Sequence, residues 1–344
     1  MRALPLLMLA LSLPAAALAQ SLAASSAVDS AAVSPAPMSP DSAKAPVAGA
    51  GALDSLPLRL VPAGAPIVGH DGGAELSEPS GLAVDAFGRI YVSDAGLHRL
   101  QRYSPNGTWL GGAGTLGSDP GQLNRPGSVV LLGALRVALL DRGNLRVVTY
   151  DLFGKLEGTL IDLGDEQLVD EVGRIDPIAL AADRGGAVVV LDQDRGRLLA
   201  FDFAGKYLRT IGGFGARPGS FRGLCGVAFA PNGELITVER AGARVQRLDA
   251  GGRVVTTWAF RASPGRAAFA IAVDDSSRIA IADEISGRLT LFDSSGRTLA
   301  RLDGLASPRA LAFAPGGALL VAEAGAGRVR RFELARPTTA AGRE

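Results

Sequence analysis

The sequence predicts an all-β fold: a six-bladed β-propeller of four-stranded antiparallel blades, its ring closed by an N-terminal strand. Three observations predict it. A strand-rich block recurs six times, each copy holds an acid and an arginine at fixed offsets, and one strand-like segment without a copy precedes the first block.

The block begins at Pro79, Pro126, Pro177, Leu224, Ala268 and Pro308. Fifteen positions on lie Asp94, Asp141, Asp192, Glu239, Asp283 and Glu323, and five further on lie Arg99, Arg146, Arg197, Arg244, Arg288 and Arg328. These offsets hold without a gap, so the variable length lies between blocks.

Each block opens on an alternating segment. Its fourth residue is a branched aliphatic (Leu82, Val129, Leu180, Val227, Ile271, Leu311) between mostly small neighbours. Alternation places these on opposite faces of a strand whose one side is crowded, as in the innermost strand of a propeller blade. A second run, such as Ile90-Tyr91-Val92 or Val188-Val189-Val190, is apolar on both faces, as a strand sandwiched between neighbouring sheets must be. Four turn-forming residues separate each acid from its arginine, which is hairpin chemistry. The third strand carries an aromatic ring at Tyr103, Tyr150, Phe201, Phe292 and Phe332, with Leu248 the exception, filling the gap that widens outward. The sixth copy has no fourth strand, and the segment around Leu58–Val61 is predicted to supply it. Such closure removes an open sheet edge and predicts a monomer.

Pro79-Ser80-Gly81-Leu82-Ala83-Val84-Asp85, with Gly88 to Asp94 and Gly96 to Gln101, resembles one NHL repeat, and Phe214-Gly215 with Pro218-Gly219-Ser220-Phe221 resembles the inter-blade loop of that family. The resemblance spans about residues 56 to 336. It implies the six-bladed fold and leaves function open, because the family includes scaffolds, RNA-binding domains, sensors and a few enzymes.

Four segments are predicted: a signal peptide over 1–19, an Ala/Ser/Pro-rich disordered linker over 20–55, the propeller over 56–336 and a disordered tail over 337–344. Arg2, the apolar run Leu4 to Leu13 and Ala17-Leu18-Ala19 form the export signal, so the protein is expected to be secreted or periplasmic. No apolar run is long enough to span a membrane. The 35 basic and 34 acidic residues nearly cancel, which gives no electrostatic reason to expect nucleic acid or an acidic membrane as partner. Cys225, the single cysteine, falls in an apolar strand pattern and reads as a buried, inert thiol.

Because all six blades carry the acid–arginine pair, it reads as a hairpin fastener, each carboxylate neutralised by its own arginine; a site needs asymmetry among blades. His98 falls on a hairpin and reads as structural, and His70 as a solvated loop residue. Two histidines and one cysteine cannot build a three-histidine zinc site. No catalytic residue, metal ligand or cofactor is predicted, although the acids, with Asn124 and Asn144 near the loops, leave a calcium ion possible in principle.

Repetition leaves the irregular loops as candidates for binding. The foremost is 162–174, with Asp162, Asp165, Glu166, Asp170 and Glu171 against one arginine. Arg217 and Arg222, beside Phe214 and Phe221, form a basic-aromatic candidate in the next linker. The reading is a noncatalytic scaffold that binds a protein, peptide or glycan through its inter-blade loop face. The alternative is a metal-dependent lactonase- or lyase-like enzyme with its site at one end of the central channel.

Overall fold

The computed structural model describes residues 56–69, 75–260, 263 and 269–337. The expected signal peptide, the whole of the expected linker, His70 and most of the tail lie outside them. The described chain forms six four-stranded antiparallel sheets. The first, second, third and fourth strands of five blades follow one another in sequence. The sixth blade takes its first three strands from Pro308–Phe313, Leu319–Glu323 and Arg328–Ala335 and its fourth from Arg59–Pro62, with Arg59 opposite Ala335 and Pro62 opposite Phe332. The predicted closure is therefore present, and Ile67 adds a further bridge to Val329.

Six apolar clusters hold the ring together, one between each pair of neighbouring blades. Leu82, Tyr103, Ala310 and Leu320 share the cluster between blades six and one, and Leu140, Ile161, Leu180 and Phe201 share that between blades two and three. The third-strand rings Tyr103, Tyr150, Phe201, Phe292 and Phe332 are all buried in such clusters. No described helix is long and apolar enough to cross a membrane.

One irregularity recurs. In five blades the innermost strand is bulged at its start, between Pro79 and Gly81, Pro126 and Val129, Pro177 and Ala179, Leu224 and Gly226, and Pro308 and Ala310. Four of these strands open on proline, which cannot donate to the ladder and is tolerated at such an end. A bulge frees the residue beside it from strict alternation and re-aims its side chain.

Candidate functional site

Antiparallel order sorts the connections onto two faces. The linkers between blades and the hairpins between second and third strands open on one face. The first–second and third–fourth hairpins open on the other.

The repeated acids lie near the first face but beneath it. Each is buried and accepts a hydrogen bond from a backbone N–H of the segment entering its blade: Ser77 and Glu78 to Asp94, Asn124 to Asp141, Asp176 to Asp192, Arg222 to Glu239, Ser263 to Asp283, and Ala306 to Glu323. The arginine partner is present in four blades. Arg146 donates to Asp141 at 2.9 Å, Arg197 to Asp192 at 2.8 Å, Arg244 to Glu239 at 2.6 Å and Arg328 to Glu323 at 2.6 Å. Two blades depart from the expectation that every acid has its own arginine. Asp94 is saturated instead by the N–H groups of Ser77, Glu78, Gly96 and Leu97, leaving the buried Nε of Arg99 without a partner. Arg288 turns outward to Asp303 at 2.6 Å, and Asp283 has the Arg240 guanidinium at 4.0 Å. What all six share is therefore the carboxylate-to-backbone tie; the ion pair is optional. Asn124 and Asn144 serve the same turn, the Asn144 amide donating to Asp141 and to Gly117 O.

The segment 162–174 is not an open loop. Asp165 caps the short helix Glu166–Val172 by accepting from Leu168 N at 3.0 Å, and Leu168 and Val172 sink into the core between blades two and three. Val172 O accepts from Arg197 and Arg195. The acids Asp162, Asp165, Glu166, Asp170 and Glu171 stay exposed on its outer side. Arg217 and Arg222 are exposed, Phe214 projects beside them, and Phe221 is fully buried under the linker, so half of the expected aromatic patch is core. Neither segment lines a cavity on the central axis.

That axis holds the most developed concavity. A channel of about 620 Å³ runs between the six innermost strands, from Ser80 and Arg309 at one end to Asp85 and Arg184 at the other. Its walls are largely apolar, with Leu82, Val130, Phe229, Ile271 and Phe313 among them. At the linker face it opens into a second space of about 460 Å³ that shares Ser80, Ser128, Ala179, Phe269 and Arg309 with it.

This mouth is charged and asymmetric. It is lined by Glu78, Arg125 and Asp176, each just before an innermost strand; by Arg309 at a bulge; and by Arg142, Asp194 and Glu284, just beyond the repeated acids. Arg309 bridges three blades, donating from Nε to Glu284 at 2.8 Å and from Nη1 to Glu78 at 3.1 Å. Burial alone would lower its pKa, but the two carboxylates carry it above the usual guanidinium value. Arg142 reaches Asp176 at 3.3 Å. Arg125 and Asp194, exposed on neighbouring blades, make no side-chain hydrogen bond or ion pair among the described residues. No repeated acid lines the mouth.

Sequence reasoning missed these residues, although a signal was present. Comparing the six blocks position by position shows which columns vary. The position before the block reads Glu78, Arg125, Asp176, Gly223, Ala267, Ser307, and the position after the acid reads Ala95, Arg142, Gln193, Arg240, Glu284, Ala324. Such variation inside a constant frame is the asymmetry that a site requires.

Cys225 is buried against Val238 O, and burial pushes its thiol up to about 12. His98 adopts φ 54° in its turn and accepts from Arg125 N at 3.0 Å through Nδ1, outside the mouth. Among the described residues no three His, Cys, Asp or Glu side chains are grouped to hold a metal ion.

Residues 76–103, covering the first three strands of blade one, match the NHL repeat model. No curated protein sequence matches the chain. Among solved structures, a streptogramin B lyase superposes with a TM-score of 0.56 at 11% identity, covering 81% of this chain and 97% of that one. Virginiamycin B lyase from Staphylococcus aureus gives 0.52 at 13% identity, covering 77% and 86%. A catalytically inactive His-to-Ala variant of that enzyme with quinupristin gives 0.53 at 12%, covering 82% and 89%. At such identities the likeness is one of fold. The chain is a six-bladed β-propeller whose first blade carries an NHL repeat.

Proposed function

We propose that this propeller is an exported, noncatalytic binding module that takes a ligand of mixed charge, such as a peptide segment, at the channel mouth on its linker face. The observation that carries the reading is the pair of uncommitted charges, Arg125 and Asp194, standing on neighbouring blades over an open, otherwise ion-paired mouth. Preformed concavity with a few convergent polar groups is what a binding site needs, and opposite charges on adjacent blades select orientation as well as affinity. No cofactor takes part in this reading. Titration of the full chain against peptide and glycan arrays, followed by calorimetry on the hits, tests it. Arg125→Ala and Asp194→Ala should each weaken binding about tenfold or more, in line with loss of a charged contact. Unchanged affinity in both would sink the reading.

Shared fold with the lyases favours a second reading, a lyase acting at the same channel end. The named Staphylococcus aureus variant loses activity with one histidine. Here the described histidine, His98, is committed to a backbone N–H outside the mouth, which favours binding without chemistry. Incubation with quinupristin decides between them: turnover of quinupristin by the wild type would replace the first reading with the second.

A further inference from the structure

On the face opposite the mouth, the turn tips divide the ring in two. In blades four to six they are Pro231-Asn232-Gly233, Asp275-Ser276-Ser277, Pro315-Gly316-Gly317, Ala250-Gly251 and Ser294-Ser295. These are the small and polar residues that tight turns favour. In blades one to three four of the six tips carry a large apolar side chain instead: Phe87 is 72% exposed, Leu135 72%, Phe153 73% and Phe203 64%, while Ser104-Pro105-Asn106-Gly107 and Arg184-Gly185-Gly186 keep the small, polar kind.

The turns themselves do not need these side chains. Asp85 accepts from the N–H of Phe87 and Arg89, both at 2.9 Å; Asp151 from Phe153 at 2.8 Å and Lys155 at 2.9 Å; and Asp202 from Ala204 and Lys206, both at 2.9 Å. Gly88, Gly154 and Gly205 take the positive φ. Aspartate and glycine thus form each turn, and the phenylalanine projects from it into solvent. Apolar groups gathered on one side of a molecule mark an interaction surface.

The turn carboxylates accept from their own backbone N–H groups, and two lysines stand exposed beside the rings, with Glu157 an exposed acid on the strand that follows Lys155. Lys155 and Lys206, both exposed, directly follow the Phe153 and Phe203 turns. The Arg89 guanidinium lies 5.2 Å from the Phe87 ring centroid and 5.7 Å from that of Phe153, joining the tips of blades one and two into one patch.

We propose that this face of blades one to three is a docking surface for an anionic lipid membrane, distinct from the channel mouth. Separate apolar tips suit a fluid medium that closes around each of them. Flanking lysines extend their ammonium groups to the lipid phosphates while their stems stay apolar. Basic groups near an anionic leaflet add attraction that salt weakens.

Co-sedimentation of the full chain with vesicles tests it, using phosphatidylcholine alone against phosphatidylcholine with about one third phosphatidylglycerol, a fraction chosen to give a strong negative surface potential. The wild type should sediment with the anionic vesicles and be released by high salt. The triple variant Phe87→Ser, Phe153→Ser, Phe203→Ser should lose at least tenfold in partitioning, and Lys155→Glu with Lys206→Glu should lose the preference for anionic lipid. The altered side chains are solvent-facing, and an unchanged circular dichroism melt checks that each variant is folded. A wild type that stays in the supernatant, or a folded triple variant that sediments equally well, overturns the proposal. So does concentration-dependent self-association through the tips without vesicle binding, which would make the surface a protein interface.

Discussion

At the scale of single residues, the two kinds of acid–arginine contact separate stability from decoration. Asp192 is fully buried, fixing Asp176 N at 3.0 Å and Arg197 Nε at 2.8 Å. Asp192→Ala strands both donors and should cost about 2–4 kcal/mol in urea unfolding. Arg288 and Asp303 are both about half exposed, so Arg288→Ala should change stability by less than about 0.5 kcal/mol. Asp283 adds a pH dependence. Burial by itself would raise its pKa, but hydrogen bonds from Ser263, Ile285 and Ser286 outweigh it and hold the carboxyl below the usual carboxylate value. A depressed folded pKa means that the ionised form favours the fold. Its contribution is complete above the unfolded value of about 3.9 and is lost as pH falls through the lower folded value. Unfolding curves for Asp283→Asn should therefore run below the wild type at neutral pH and converge with it in acid. The fixed spacing made these residues visible in the sequence. It could not reveal their main partners, because the backbone N–H groups they bind belong to segments brought near only by the closed blade.

At the scale of elements, the closing strand shows how little sequence can specify a partner. Arg59–Pro62 is four residues long, and only Leu60 among them is buried, packed with Phe332 and Leu289 in the cluster between blades five and six. Leu60→Ala should cost about 2–3 kcal/mol, read as a lower midpoint in thermal or urea unfolding, because it weakens the blade that joins the two ends of the chain. This assignment was legible by subtraction: the sixth block lacked a strand and one strand lacked a block. The helix Glu166–Val172 was not legible in the same way. Its five neighbouring acids dominated the local composition, whereas Leu168 and Val172, spaced for one helical face, decided that the segment folds onto the core.

At the scale of the whole molecule, the frame is sixfold and the chemistry is not. A near-zero net charge conceals this, since it reports neither the uncommitted Arg125 and Asp194 at one face nor the exposed lysines beside the rings at the other. Periodicity revealed the ring because every blade solves the same packing problem. The mouth escaped because its residues come from five blades far apart in the chain, and only the curvature of the ring brings them around one axis. The closing strand has a temporal consequence as well. A chain emerging from its N-terminus makes Arg59–Pro62 before any blade and its pairing strand Arg328–Ala335 after all the others. Blades one to five are complete in local sequence and can condense in order, but the sixth must wait for the first-made strand to meet the last-made one. Contacts of such long sequence separation form late, since loop closure must precede the pairing it permits. Until that moment the nascent ring is an open arc with two sticky ends, so Arg328–Ala335 acts as the latch that turns a row of sheets into a closed body.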